Sequence, residues 1–284
     1  MTEENTTENP TLYRTTTLDE LGANLPILRN GRDGQPVQDR SFSFLDWDME
    51  VEEKISKIQS NAKNVGSLVS QMMCLLLDRF CGENFQDLSK EEQILTINQL
   101  EFTNVMYMYI FLRTEELGYD LKMDVTCPHC KKLNKGFVAD LRTLEIHAKD
   151  PEHQRNHVYE LMKPILMDNG DVVSSVTYDI SKWDTMERAT PDVAENAGKM
   201  KQILFRSSIL SAHAEDDSGK EKNYPIDLVI KKMKKIDIEK ISSAITQNNA
   251  GPLMAMKGEC IHCKSEWFRL LDWSYNFFFD SSSL

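Results

Sequence analysis

Two short stretches of the sequence nearly repeat each other: "TCPHCKKLNKGF" (Thr126–Phe137) and "ECIHCKSEWF" (Glu259–Phe268). Each contains the pattern Cys-x-His-Cys-Lys, and residues 131–259 separate the two Cys pairs. Two residues between the cysteines of a pair allow both sulfurs of one turn to reach a single metal ion. Each stretch also reads as strand, Cys turn, strand, so we expect the two pairs to lie on β-hairpins.

Other landmarks repeat in the same order along the chain. Pro-Ile-Leu followed by Asn-Gly occurs in "LPILRNGRDGQPV" (25–37) and in "KPILMDNGDVV" (163–173). Trp-Asp occurs in "FSFLDWDME" (42–50) and in "YDISKWDTME" (178–187). Trp47 precedes Cys127 by 80 positions, and Trp183 precedes Cys260 by 77. These matched spacings predict an internal duplication, and packing about a pseudo-two-fold axis would bring the two Cys turns together.

The predicted fold class is α+β, with a duplicated helix-rich unit that carries β-hairpins and two CxxC knuckles forming one zinc-ribbon-like site. We expect three parts in the chain. Residues 1–22 form a flexible acidic arm, rich in Thr, Glu and Asn. Residues 23–150 form the first pseudo-repeat with its CxxC hairpin, and residues 151–284 form the second.

A shared metal site follows from the paired knuckles. Four thiolates suit structural Zn²⁺, which prefers a closed tetrahedral shell with no open position for water. The predicted ligands are Cys127, Cys130, Cys260 and Cys263. The alternatives are four reduced surface thiols, two separate half-sites, or a site in which His129 or His262 replaces a cysteine. Lys131 and Lys264 are expected to offset part of the thiolate charge.

Composition and charge narrow the class of protein. The 284 residues carry a formal charge of −12, which argues against a general nucleic-acid binder. The longest apolar run, "VMYMYIFL" (105–112), is much shorter than a membrane span, and the polar start "MTEENTTENP" does not resemble a signal peptide. We therefore expect a soluble protein from a reducing cytosol, where paired cysteines favour metal over disulfide.

Local patterns predict several elements. Asp46 or Asp48 is expected to cap a helix, and a second, apolar helix is expected over Val65–Phe80. The capping-box pattern Ser89–Glu92 opens a third helix that Gly118 should end. Trp47 and Trp183 are expected to be core anchors.

Other reactive side chains have ordinary interpretations. Cys74 and Cys81 are expected to be core thiols beside one apolar helix. His153 and His157 have the spacing of a helical metal pair, but the polar context favours a solvated helix face. The sequence contains neither a glycine-rich phosphate loop nor a Gly-x-Ser-x-Gly elbow. We therefore predict that the protein is not an enzyme.

The order of these landmarks resembles the baseplate and baseplate-hub assembly proteins of contractile-tailed bacteriophages of the T-even type, and of related contractile injection systems. The resemblance covers about residues 24–280 and rests on "PILRNGRDGQPV", "FSFLDWDMEVEEKI", "VTCPHCKK", "YDISKWDTMERA" and "ECIHCKSEWFRLLDWSYNFFF". It implies a structural or assembly protein of the hub or wedge, or an assembly chaperone. The implied partners are other baseplate or tail proteins, with no nucleic acid and no membrane. The implied location is the host bacterial cytoplasm during assembly, and the tail baseplate of the virion if the protein stays there.

Two other classes remain open at this point. A zinc-ribbon nucleic-acid-binding or transcription-related module suits the four cysteines but not the charge of −12. A metalloenzyme would need His153, His157 and nearby carboxylates to converge in a pocket.

Overall fold

The computed structural model describes residues 14–31, 35–149, 156–189, 197–215, 221–247 and 250–270. Its helices are α1 (Leu18–Leu21), α2 (Met49–Asn61), α3 (Val65–Leu76), α4 (Lys90–Gln99), α5 (Phe102–Leu117), α6 (Asp184–Glu187), α7 (Ala197–Ser208), α8 (Ile226–Lys232) and α9 (Lys235–Gln247). Its strands are β1 (Arg14–Thr17), β2 (Phe42–Phe44), β3 (Leu77–Phe80), β4 (Glu83–Asn84), β5 (Asp120–Thr126), β6 (Leu133–Asp140), β7 (Glu145–Ala148), β8 (His157–Leu166), β9 (Val172–Tyr178), β10 (Ile209–Glu215), β11 (Glu221–Asn223), β12 (Gly251–Pro252), β13 (Ala255–Glu259) and β14 (Glu266–Leu270). The chain is of mixed helix and sheet, as predicted.

The strands form five small sheets, and neighbouring strands are antiparallel throughout the described ranges. The strand orders are β1-β7-β12, β2-β3-β4, β5-β6, β11-β10-β9-β8 and β13-β14. The two Cys-bearing hairpins, β5-β6 and β13-β14, are thus separate two-stranded sheets. Isolated two-stranded hairpins are marginal in water, so these two need packing partners.

The larger core surrounds α3 and α5. Helix α5 is buried on almost every side over its first three turns, which explains why its apolar residues show little amphipathic periodicity. Its Asn104 holds both backbone groups of Ile27, accepting from the N–H at 3.1 Å and donating to the carbonyl at 2.9 Å. Its Tyr107 hydroxyl donates to the Gly22 carbonyl at 2.6 Å. These hydrogen bonds hold the segment from Gly22 to Ile27 against the core.

The predicted flexible arm is therefore too long. Residues 14–17 form β1, which pairs with β7, and α1 follows directly. Leu18 in "TLDEL" is fully buried in the larger core. Burial of this apolar side chain stabilises the segment against the core, which a flexible arm would not show. Residues 1–13 lie outside the described residues.

A second core lies between the sheet β11-β10-β9-β8 and helices α7, α8 and α9. It contains Leu161, Val176, Ile209, Val229 and Ile241, among others. Trp183 comes after β9 in the chain, yet it is fully buried in the larger core. Its indole N–H donates to Ser70 Oγ at 2.9 Å, and its ring stacks on Phe102. The core role predicted for Trp183 is confirmed, whereas Trp47 is half-buried at the edge of the same core.

The two parts of the chain share an order of elements. In the first, the antiparallel sheet β2-β3-β4 is followed by α4, α5 and the β5-β6 hairpin. In the second, the sheet β8-β9-β10-β11, which has one strand more, is followed by α8, α9 and, after the short β12, the β13-β14 hairpin. The predicted boundary at residue 150 falls at residues 150–155, outside the described residues.

Several predicted elements have different bounds. Helix α3 ends at Leu76 because the next four residues form β3, which pairs with β2. The third predicted helix is two helices, which break where the Leu100 carbonyl accepts a hydrogen bond from Trp183 N. In each case tertiary pairing overrides the local pattern.

None of the helices in the described ranges is long and apolar enough to cross a membrane. The aromatic C-terminal stretch at 273–279 lies outside the described residues.

Candidate metal centre

Two β-hairpins carry the four predicted ligands. The turn between β5 and β6 holds Cys127 and Cys130, and the turn between β13 and β14 holds Cys260 and Cys263. Their four Sγ atoms all lie within 4.8 Å of one another. The structure therefore brings together the cysteines that residues 131–259 separate in the sequence.

The two Cys turns have nearly the same backbone conformation. Lys131 N donates to Cys127 O at 3.0 Å, and Lys264 N donates to Cys260 O at 2.9 Å. Both lysines adopt the left-handed conformation, with φ of 61° and 60°. In each turn the first sulfur accepts a backbone N–H two residues ahead, from His129 and His262, at 3.4 Å. The turns thus direct their sulfurs in the same way.

The sulfur separations fit a tetrahedral metal ion. Cys127 Sγ lies 3.7 Å from Cys263 Sγ, and Cys130 Sγ lies 3.7 Å from Cys260 Sγ. Zn–S bonds of about 2.3 Å to tetrahedral corners place sulfurs about 3.8 Å apart. A disulfide needs about 2.05 Å, and all four cysteines are free. The cluster could hold one metal ion.

A small apolar core supports the cluster from one side. Cys127 and Cys260 are fully buried there with Val125 and Trp267. The Trp267 ring meets Phe137 edge-on at 4.8 Å between ring centroids, which links the two hairpins. Trp267 also lies against Gly258, where a Cβ atom would come within 2.3 Å of the indole ring. Cys130 is half-buried and Cys263 is exposed, so the other side of the cluster faces solvent.

The thiols of the cluster differ in acidity. Burial alone would raise the pKa of Cys260, but hydrogen bonds from the backbone N–H groups of Cys263 and His262 outweigh it and lower this pKa to about 6. The Ser265 hydroxyl and N–H lower the pKa of Cys263. The Lys132 N–H lowers the pKa of Cys130, but burial and the neighbouring thiols outweigh it and raise that pKa to about 11. Since metals bind thiolates, a bound cation would release the remaining thiol protons.

The two histidines of the turns are not among the clustered ligands. His129 Nε2 lies 3.1 Å from the carbonyl oxygen of Glu266, and His262 Nε2 lies 3.2 Å from that of Leu133. The contacts match, because each carbonyl lies four residues beyond the histidine of its own turn. Each ring therefore reaches the opposite hairpin.

The lysines after the turns are distinguished by their backbone conformation. Lys264 Nζ lies 3.5 Å from Glu259 Oε1, so part of its charge faces a carboxylate. The left-handed φ angles show that the turn conformation needs these positions in a region that most side chains avoid. The predicted charge compensation of the thiolates stays a prediction.

One residue of the centre was missed by the sequence reasoning. Asn134 is almost fully buried, and its Oδ1 accepts a hydrogen bond from Ile261 N, in the opposite Cys turn, at 2.9 Å. The available signal was a difference between the repeats, because proline occupies position 128 where isoleucine occupies 261.

The other candidate residues lie elsewhere. Cys74 is half-buried and Cys81 is buried. Burial raises the pKa of each thiol to about 12, which is typical of unreactive thiols in a protein core. Cys81 follows β3 rather than the apolar helix. His157 lies in β8, so the helix predicted at this position is wrong, and His153 lies outside the described residues.

Comparison with known proteins adds no assignment: no protein-family model, curated protein or solved structure matches this chain.

Proposed function

We propose that Cys127, Cys130, Cys260 and Cys263 bind one structural Zn²⁺ that joins the two Cys hairpins. The observation that carries this proposal is the pair of 3.7 Å sulfur separations between cysteines of opposite turns. Four thiolates around one zinc ion would form a closed shell that crosslinks the hairpins. Such a shell has no open position for a substrate. The thiols, the buried Trp267 and the contacts between the hairpins are the chain's own contribution.

The two halves are proposed to be copies of one ancestral unit. The shared order of sheet, two helices and Cys hairpin supports this, as does the matched crossing of His129 and His262. A two-fold relation explains why equivalent atoms on opposite turns make equivalent contacts.

On this basis the protein is a non-enzymatic structural or assembly protein of a contractile phage tail baseplate, in the hub or wedge, or a chaperone for that assembly. The resemblance of its landmarks to baseplate proteins supports the assignment, and a crosslinked scaffold suits a role in protein contacts. The partners are other baseplate or tail proteins in the host bacterial cytoplasm.

The test is genetic. An amber mutation in the gene, within the phage that encodes it, should stop tail assembly before a complete baseplate forms. A plasmid copy of the wild type should restore tails, and a Cys127→Ser/Cys260→Ser copy should restore fewer. Normal contractile tails made without the protein would refute the baseplate role, whatever the metal content.

A further inference from the structure

Although their turn backbones match, the two Cys hairpins differ at four of the eight positions in 127–134 and 260–267, and two of these differences are linked. Cys127 and Cys260 are equivalent, so Pro128 corresponds to Ile261 and Asn134 corresponds to Trp267. Both differences concern one hydrogen bond. Ile261 has a backbone N–H, which Asn134 Oδ1 accepts at 2.9 Å, whereas Pro128 has no N–H to offer.

Asn134 is built into the junction of the hairpins. Its side chain is 2% exposed, and its Nδ2 donates to the Val125 carbonyl at 3.0 Å on its own hairpin. One amide group therefore ties the strand before the first Cys turn to the backbone of the second. A buried hydrogen bond of this kind is costly to remove, because both backbone partners are left unpaired.

The equivalent position in the other half, 267, does not need a hydrogen-bond acceptor, because Pro128 removes the donor. Trp267 instead fills the small core and packs on Phe137. One physical reason therefore explains both combinations. Ile261 has an N–H and position 134 carries an acceptor for it, whereas Pro128 has no N–H and position 267 carries none.

We propose that Asn134 is a positioning residue for the metal centre: by holding the N–H of Ile261 it fixes the second Cys turn so that Cys260 and Cys263 face Cys127 and Cys130. It acts without touching the ion. This inference rests on the proposed zinc site, and it adds that the thiol arrangement is set before metal binds.

A double-mutant cycle tests the inference on the full chain. The variants are Asn134→Ala, Ile261→Pro and the double change, with Lys135→Ala as an exposed neighbour control. The backbone at position 261 suits proline because Pro128 occupies the same place in a turn of the same conformation, but in the single Ile261→Pro variant the proline ring displaces Asn134 Oδ1. Zinc affinity is measured by competition with a chromophoric chelator, and Co²⁺ absorption reports the thiolate geometry.

Asn134→Ala should weaken zinc binding about tenfold or more, the scale expected for groups that orient metal ligands. In the Ile261→Pro background the same change should cost clearly less, because the N–H that Asn134 holds is gone. Lys135→Ala should leave the affinity unchanged. An unchanged affinity in Asn134→Ala, or the same loss in both backgrounds, would overturn the inference.

A second measurement separates this inference from the zinc proposal and does not depend on the variants folding. In chelator-treated wild type, the Ile261 amide should exchange with solvent more slowly than an unstructured amide. Exchange at the unstructured rate would overturn the role of Asn134. Protected exchange in a wild type that binds no zinc would refute the metal site but support Asn134 as the residue that joins the hairpins.

Discussion

Lys131 and Lys264 show how single residues shape the Cys turns. Both follow the second cysteine of a turn and adopt φ near +60°, a region that most residues avoid and glycine or asparagine tolerates. Two roles are open to these lysines: to adopt the backbone conformation of the turn, or to place a positive charge near the thiolates. The two roles predict different substitutions.

Lys264→Asn should leave the free energy of unfolding within about 0.5 kcal/mol of the wild type, because asparagine tolerates the left-handed conformation. Lys264→Val should cost about 1 kcal/mol or more, because a β-branched side chain is disfavoured in this conformation beyond the penalty that lysine already carries. Chemical denaturation measures both, and the same pair at Lys131 is a replicate. Lys257→Val, in β13, is the control because a strand accommodates valine. Equal losses for asparagine and valine would instead assign the role to charge.

Residue-level chemistry of the centre was only partly predictable. The four cysteines and the turn spacing could be read directly, since the Cys-x-x-Cys pattern has a local physical meaning. Asn134 could not, because its partner Ile261 is remote in sequence and the hydrogen bond exists only once the hairpins dock.

At the scale of elements, capping explains where several helices begin. Asp48 Oδ1 accepts Val51 N at the start of α2, and Ser89 and Glu92 form the predicted capping box of α4. Asn64 caps α3 but does more, since its Nδ2 donates to the carbonyls of Glu187 and Ala189, near α6. This cap therefore ties α3 to the second half of the chain.

Reciprocal substitutions separate the two roles of Asn64. Aspartate and asparagine are equivalent N-caps, so Asp48→Asn should change stability by only a few tenths of a kcal/mol. Asn64→Asp keeps the cap but places a carboxylate against two carbonyl oxygens, and should cost about 1–3 kcal/mol. Urea denaturation of both variants gives the comparison. Equal effects would show that Asn64 is only a cap.

The elements that the sequence predicted well are those with local signals. The caps at Asp48 and Ser89 and the stop at Gly118 depend on neighbouring residues alone. The early end of α3 and the break between α4 and α5 depend on partners far along the chain, β2 and Trp183. Local propensity cannot contain that information.

At the scale of the whole molecule, one contribution to stability against acid comes from Asp171, a buried carboxylate in the turn between β8 and β9. Hydrogen bonds from Lys222, then Tyr224 and Asn169, lower the pKa of Asp171 to about 2. Asp171 joins the β8-β9 turn to β11 through these groups. Because this pKa is below the ordinary value near 3.9, the ionised form stabilises the fold.

The stabilisation from Asp171 should be fully present above pH ~4 and be lost as the pH falls through ~2. Asp171→Asn should therefore be less stable than the wild type at neutral pH, and the difference should shrink between pH ~4 and ~2. Denaturation midpoints across this range measure it. Asp168→Asn, at an exposed carboxylate of the same turn, is the control. A difference that stays constant with pH would contradict this assignment.

The most direct test of the account is the zinc stoichiometry of untagged protein, prepared without chelator, measured by elemental analysis alongside Cys127→Ser, Cys260→Ser and the double variant. One zinc per wild-type chain, with loss of zinc and a similar fall in stability in each single variant, is the predicted result because both turns share one ion. Zinc retained by either single variant at full stability, or a wild type without zinc, would contradict a shared centre between the two hairpins.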